Sequence, residues 1–147
     1  MKKLLLSLSF FLALVLSGFS QKSEVFIFEG TAIRGYDPVA YFTDNKAVKG
    51  DDRFSFEWKN AVWHFANGEN LAAFKSDPQK YAPQYGGYCA YGTSEGHKAP
   101  TNPDAWTIIN NKLYFNYNKN VQSMWKKDTE GNIQKAEKNW PLIKDKE

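Results

Sequence analysis

The chain contains a single cysteine, Cys89, so no disulfide can form within it. A fold without disulfides has to be held by side-chain packing alone. Aromatic residues make up 16% of the sequence and indicate where that packing comes from. We therefore expect one compact domain with an aromatic-rich core.

The N-terminus predicts export. A basic start precedes an apolar run over residues 4–16, and small residues follow at Gly18 and Ser20. This order is typical of a secretory signal peptide. The apolar run is shorter than the roughly 20 residues that a membrane-spanning helix needs. We predict a cleavable signal over residues 1–20, a single domain over residues 21–147, no stable membrane span after cleavage, and a periplasmic or secreted location.

The charge balance narrows the class of partner. The whole chain has a formal net charge of +3, and the predicted signal carries two lysines and no acidic residue. The mature chain is therefore close to neutral, which argues against nucleic acid or an anionic membrane as its main partner. A metal ion or a small molecule remains as the predicted partner, and the oligomeric state stays open.

Two aromatic hairpins, each followed by a short helix, predict an α+β fold of small antiparallel hairpins and short helices. The hairpins cover residues 54–65 and 106–115, with turns at Lys59-Asn60 and Asn110-Asn111. Aligning the two turns also pairs Trp63 with Tyr114 and Phe74 with Trp125. The pattern predicts either a duplicated unit or two independent uses of a common motif.

The remaining elements are shorter. Asp37 before Pro38 predicts the N-cap of a helical turn, and Pro141 is expected to break or end the C-terminal helix. No helix start is indicated after Cys89. Residues 23–29 predict an opening strand or a tail laid on the core, and the other predicted elements are helices over 67–75, 78–81, 121–127 and 130–146.

Five ordered blocks of sequence carry a family resemblance. They are Gly35–Phe42, Trp63–Phe65, Glu69-Asn70 with Phe74, Asp77–Pro83 and Tyr85–Gly92. Together they resemble the exported YHS-domain proteins, a subfamily with members labelled as selenoproteins. The core of the resemblance spans residues 34–92, and residues 93–147 form a C-terminal extension.

The resemblance implies a treble-clef-like α+β unit and binding of metal, copper in particular. Relatives carry cysteines before the hairpin and just after its second strand. Here those segments are Tyr36–Val39 and Phe65–Asn67, and neither contains cysteine. The selenium of the labelled members would stand at Cys89, which favours a chemically active thiol there.

The remaining soft or borderline ligands are Cys89, His97 and His64. A thiolate with two imidazoles is a ligand set that copper and zinc accept. Cys89 and His97 lie on one glycine-containing loop that could fold back, whereas His64 lies between Trp63 and Phe65 and faces away from both. The sequence predicts a soft-metal site, for copper or zinc, centred on Cys89.

Two alternatives stay open. Cys89 could be a metal-free redox thiol, activated by a nearby cation such as His97, Lys98 or Arg34. The chain could equally be a non-catalytic binding or structural module in which Cys89 only packs. The tyrosines at 85, 88 and 91 are interpreted as core residues first and as an aromatic wall for a small ligand second. Whether the chain is an enzyme is not decided by any motif.

Overall fold

The computed structural model describes residues 23–146, so the predicted signal peptide lies outside the described residues. The first half of the fold begins with a small hairpin, β1 (Ile27–Phe28) and β2 (Thr31–Ala32). The following elements are a 3-10 turn (Ile33–Gly35), α1 (Ala40–Thr43), β3 (Asp51–Trp58), β4 (Ala61–Phe65), α2 (Gly68–Ser76) and α3 (Pro78–Tyr81).

The second half repeats this order. A 3-10 turn (Gln84–Gly87) leads into α4 (Ala90–Ser94), and a hairpin and two helices follow. Those elements are β5 (Trp106–Ile109), β6 (Lys112–Phe115), α5 (Lys119–Lys126) and α6 (Thr129–Ile143). Within residues 23–146 every sheet is an antiparallel pair of strands, which confirms the predicted α+β class.

Both predicted hairpin turns form, and they have the same backbone. Lys59 and Asn60 have φ of 51° and 56°, and Asn110 and Asn111 have φ of 52° and 60°. Two successive residues with positive φ define the turn whose twist matches that of the flanking strands. Each hairpin leads to a helix with an asparagine N-cap, Asn67 for α2 and Asn118 for α5.

The match extends to the turn that opens each half. Gly35 and Gly87 are each the last of three consecutive residues with positive φ, a conformation that glycine adopts without strain. The tyrosine that follows each glycine donates its N–H to the carbonyl two residues before that glycine. We therefore define a first unit, residues 33–76, and a second unit, residues 85–126, with the same order of elements.

Two hydrophobic clusters form the core. The first contains Trp63, Phe65 and Phe74, and the second contains Tyr85, Tyr114 and Trp125. Strand β6 lies between them, because Leu113 and Phe115 pack into the first cluster while Tyr114 packs into the second. Alternation of side chains along a strand puts successive residues on opposite faces, so one strand serves both cores.

Of residues 23–29 only Ile27–Phe28 form a strand, while Val25 and Phe26 are buried, as expected of the alternative in which this segment is a tail laid on the core. Two predictions of local structure were wrong. Pro141 lies inside α6, which continues to Ile143; near a helix C-terminus proline removes one hydrogen bond without ending the helix. A helix does start after Cys89, since α4 begins at Ala90. No helix among residues 23–146 is both long and apolar enough to cross a bilayer.

Candidate functional site

Cys89 is the N-cap of α4, and its thiol is covered. The sulfur accepts a hydrogen bond from the Gly92 N–H at 3.4 Å and lies 3.5 Å from the side-chain oxygen of Asn116. Cys89 is 2% exposed. The lone thiol therefore has a definite local task, which is to start a helix against the end of β6.

The partners of Cys89 favour the neutral thiol. The side-chain oxygen of Asn116 also accepts the Tyr91 N–H at 3.1 Å, which fixes the orientation of that amide. The thiol must then donate its S–H to this oxygen. A thiolate has no proton to donate, so two hydrogen-bond acceptors would face each other. Burial raises the pKa of Cys89, and the backbone N–H groups of Gly92, Tyr117 and Tyr91 oppose this rise without cancelling it.

Asp37 occupies the matching place in the first unit. Its N–H donates to the carbonyl of Val48 at 2.9 Å, as the Cys89 N–H does to Ala99 at 3.0 Å. Its carboxylate accepts from the N–H groups of Val39 and Ala40, so Asp37 bonds the start of this helical turn, although the N-cap position of α1 is Val39 and not the predicted Asp37. Cys89 thus stands where the first unit has Asp37.

Asp37 also joins the two segments in which the family resemblance implies cysteines. Its second carboxylate oxygen accepts from the Ala66 N–H at 2.8 Å and from the Asn70 side-chain amide at 2.7 Å. Asp37 is fully buried. In this chain a hydrogen-bonded carboxylate holds these two segments together.

The structure brings one of the two histidines toward Cys89. The His97 N–H donates to the Gly92 carbonyl at 3.0 Å, and a Cβ placed on Gly92 would lie 3.4 Å from His97 Nε2. His97 is therefore beside the residue that donates to the Cys89 sulfur, although His97 itself is exposed. His64 lies in the first unit beside Gly35 and is half-buried. Its side chain is on the face of β4 opposite to that of Trp63 and Phe65.

No group of three or more His, Cys, Asp or Glu side chains converges anywhere in residues 23–146. Around the sulfur itself the hydrogen-bond partners are an amide oxygen and a backbone N–H, which are not soft ligands. Arg34 donates to the Thr101 carbonyl, and Lys98 to the carbonyls of Lys144 and Lys146. The copper or zinc site of Cys89, His97 and His64 stays a prediction.

A pocket of about 340 Å³ lies between the first unit and α6, and we call it the interunit pocket. That volume is in the range of small-molecule sites. Its aromatic walls come from Trp58, Trp63, Tyr85 and Trp140, and its charged residues are Glu24, Lys59 and Glu137. The other lining residues are Val25, Gln79, Ala82, Pro83, Gln84, Gly86 and Pro141.

Tyr85 is the most unusual residue of this pocket. It is 7% exposed, and its buried hydroxyl has no hydrogen-bond partner among the described residues. Burial raises the pKa of Tyr85, with smaller contributions from Tyr114 and from the carboxylate of Glu137. A buried polar atom without a partner is uncommon in native proteins. This hydroxyl has almost no accessible surface and lies within the second cluster, behind the pocket wall.

Helix α6 supplies an indole and a carboxylate next to Tyr85, whose ring centre lies 6.0 Å from that of Trp140. Glu137 and Trp140 are three residues apart and share a helix face, and both line the pocket. Pro141 has no N–H to donate to the Glu137 carbonyl. Among the ion pairs of the described chain, Lys59 pairs with Glu24 at 3.4 Å, and none includes Glu137.

Sequence reasoning found part of this pocket. The tyrosine spacing pointed to Tyr85 as either core or ligand wall, and Tyr85 serves both the second cluster and the pocket. It missed Trp58, Glu137 and Trp140. The available signal was the spacing of Glu137 and Trp140 on a predicted helix, but nothing in the sequence placed that helix beside the first hairpin.

Comparison with known proteins finds no match: no family model, no curated protein and no solved structure aligns significantly with the chain. The resemblance to exported YHS-domain proteins therefore stays a prediction.

Proposed function

We propose that this chain is a non-catalytic binding module that takes a small organic cation in the interunit pocket. The observation that carries the proposal is a pocket of ligand size that combines Trp and Tyr rings with two carboxylates against one lysine. Cys89 is then a structural residue, because its thiol is buried and its pKa is raised.

The lining residues favour a cation. Faces of Trp and Tyr attract ammonium groups, and a carboxylate beside them adds charge attraction. Lys59 already shows this chemistry: its ammonium lies 4.8 Å from the centre of the Trp58 ring and pairs with Glu24. With two carboxylates against one lysine, the lining is net negative.

Glu137 forms no ion pair among the described residues and lies beside Trp140 on α6. The Lys98 ammonium lies 5.9 Å from the centre of the Trp140 ring, which shows that this indole also accepts a cation. An alkylated amine could place its charge there and its apolar groups against Trp140 and Tyr85. Non-directional contact with the rings suits a quaternary ammonium better than a strongly hydrated primary amine.

The test is a calorimetric titration of the mature protein with choline, followed in parallel by tryptophan fluorescence. Its uncharged isostere, 3,3-dimethylbutanol, and acetate serve as comparison ligands. We expect choline to bind with saturation, the isostere more weakly by about tenfold, and acetate not at all.

Two variants sharpen the test. Glu137→Gln should weaken choline binding by about tenfold, whereas Glu57→Gln, an exposed glutamate on β3 outside the pocket, should leave it unchanged. Equal binding by all three proteins, or tighter binding of the isostere than of choline, would overturn the proposal.

A second candidate function is the soft-metal site at Cys89, favoured by the position of His97, whose Nε2 would lie 3.4 Å from a Cβ placed on Gly92. We propose Cys89 and His97 as its ligands, with access to the sulfur requiring local opening of α4. Native mass spectrometry of the reduced protein with Cu(I) and Zn(II) tests it. A stoichiometric adduct should form and be lost in Cys89→Ser and in His97→Ala, and its persistence in both variants would exclude these ligands.

A further inference from the structure

Three polar side chains meet beside Gly35, where the backbone has no Cβ. A Cβ placed there would lie 3.3 Å from Lys49 Nζ, 3.3 Å from Thr31 Oγ1 and 3.5 Å from His64 Nδ1. These groups come from β2, the segment before β3, and β4. Only a residue without a side chain leaves the space between them open.

The space is part of a surface cavity of about 420 Å³. Arg34, Lys49 and His64 line it, and Glu29 is its single acidic residue. The lining is therefore net positive even with His64 neutral. This sign is opposite to that of the interunit pocket, so the two cavities suit different ligands.

The two full cations retain donors for a ligand. Lys49 uses one N–H on the carbonyl of Arg34, and Arg34 uses its Nε on the carbonyl of Thr101. The Arg34 guanidinium lies 4.0 Å from the centre of the Phe28 ring, which holds it in place. Among residues 23–146 neither cation forms an ion pair with a carboxylate.

Backbone packing fixes His64 at this place. A Cβ on Gly50 would lie 2.6 Å from the carbonyl carbon of His64, so the chain before β3 runs directly against the histidine backbone. The neighbouring Trp63 and Phe65 are fully buried and anchor the strand from the other face. The imidazole is consequently presented to the cavity by rigid elements.

From this convergence we propose that the cavity beside Gly35 binds a phosphate-type oxyanion through Lys49, Arg34 and His64. A tetrahedral oxyanion offers separate oxygen acceptors to donors arriving from three directions, and charge-assisted hydrogen bonds of this kind are the strong ones. The site is independent of the interunit pocket, and it gives His64 a role in anion binding.

The test uses the two histidines as internal probes. The imidazole NMR signals of the mature protein are followed at fixed pH during titration with inorganic phosphate, and separately with acetate, at constant ionic strength. We expect saturable shifts at His64, no saturable shift at His97, and binding of acetate about tenfold weaker than that of phosphate. A small drift common to both histidines, or equal affinity for acetate, would overturn the proposal.

Lys49→Gln should weaken phosphate binding by about tenfold. Lys46→Gln removes the same charge from an exposed neighbour outside the cavity and should bind normally. Lys49→Arg keeps the charge and should retain the His64 shifts, which separates a lost contact from a disturbed fold. Full phosphate binding by Lys49→Gln would show that the site does not act as proposed.

Discussion

In the first unit the buried carboxylate of Asp37 accepts four hydrogen bonds. At the matching place of the second unit the Cys89 sulfur forms two weaker hydrogen bonds, one to the side-chain oxygen of Asn116 and one from the Gly92 N–H. The wider cores differ in the same way. Three buried polar atoms of the described chain have no partner, on Tyr85, Asn116 and Trp125, and all lie in the second unit.

One backbone plan therefore supports two kinds of interior. The first unit satisfies its polar groups internally, as expected of a scaffold. The second unit leaves three buried polar atoms without a partner, and of these residues only Tyr85 lines the interunit pocket. Departures from a locally consistent interior mark strained or functional places in natural proteins, so the comparison marks the interior of the second unit as the less satisfied of the two.

The largest expected difference in unfolding free energy is between variants of Asp37 and of Cys89. Asp37→Ala leaves four buried donors without their acceptor and should cost about 3 kcal/mol or more of unfolding free energy. Cys89→Ala removes weaker sulfur contacts and should cost about 1 to 2 kcal/mol. Urea unfolding of both variants measures this, and equal losses would contradict the difference between the units.

The titration of Cys89 should appear in the pH dependence of stability. Its pKa is raised in the folded state, so its contribution is complete below the unfolded pKa of about 8.5 and is lost as pH rises from there through the folded pKa. The slope is at most about 1.4 kcal/mol per pH unit. Urea unfolding between about pH 7.5 and pH 9.5, below the range of tyrosine, should show this loss in the wild type and not in Cys89→Ser. Parallel profiles would mean that the thiol has its unperturbed pKa.

A pair of tyrosines tests the unsatisfied core. The Tyr41 hydroxyl donates to the Pro103 carbonyl at 2.9 Å, while the buried Tyr85 hydroxyl has no partner in the described chain. Tyr41→Phe should cost about 1 kcal/mol, and Tyr85→Phe should be neutral or slightly stabilising without ligand. Thermal or urea unfolding compares them, and a larger loss for Tyr85→Phe would show that its hydroxyl is satisfied in solution.

The helix caps should give the smallest difference. Asn67 accepts the Asn70 N–H and Asn118 accepts the Val121 N–H, each at 2.8 Å. Asn67→Ala and Asn118→Ala should each cost about 1 kcal/mol, with a difference of a few tenths. Chemical denaturation of the two variants is the measurement. A clear gap would mean that the two units are less alike in energy than in geometry.

Much of the fold could be predicted from local signals. Asparagine at the hairpin turns tolerates positive φ, and aspartate before proline accepts from the N–H groups at the start of a helical turn, so those elements were found. The spacing of the turns and aromatic residues also gave a duplicated unit as one of two interpretations. Helix α4 was missed because its residues Ala90–Ser94 have little helix propensity as a group, and contacts with distant elements hold it.

The candidate sites were less predictable, because they depend on contacts between distant segments. His64 was singled out as a metal ligand, but its neighbours Lys49 and Thr31 come from other elements. Nothing in the spacing of these residues announces that they meet at Gly35. In the interunit pocket, likewise, Glu137 and Trp140 meet Trp58 only through the packing of α6.

Strand β6 has a consequence for how the protein loses its structure. Leu113 and Phe115 complete the first cluster while Tyr114 completes the second. Pulling this strand out would open both cores at once. Although the two halves look like separable copies, we expect them to unfold cooperatively in one transition. A fragment that ends before β6 would lack Leu113 and Phe115, which pack into the first cluster.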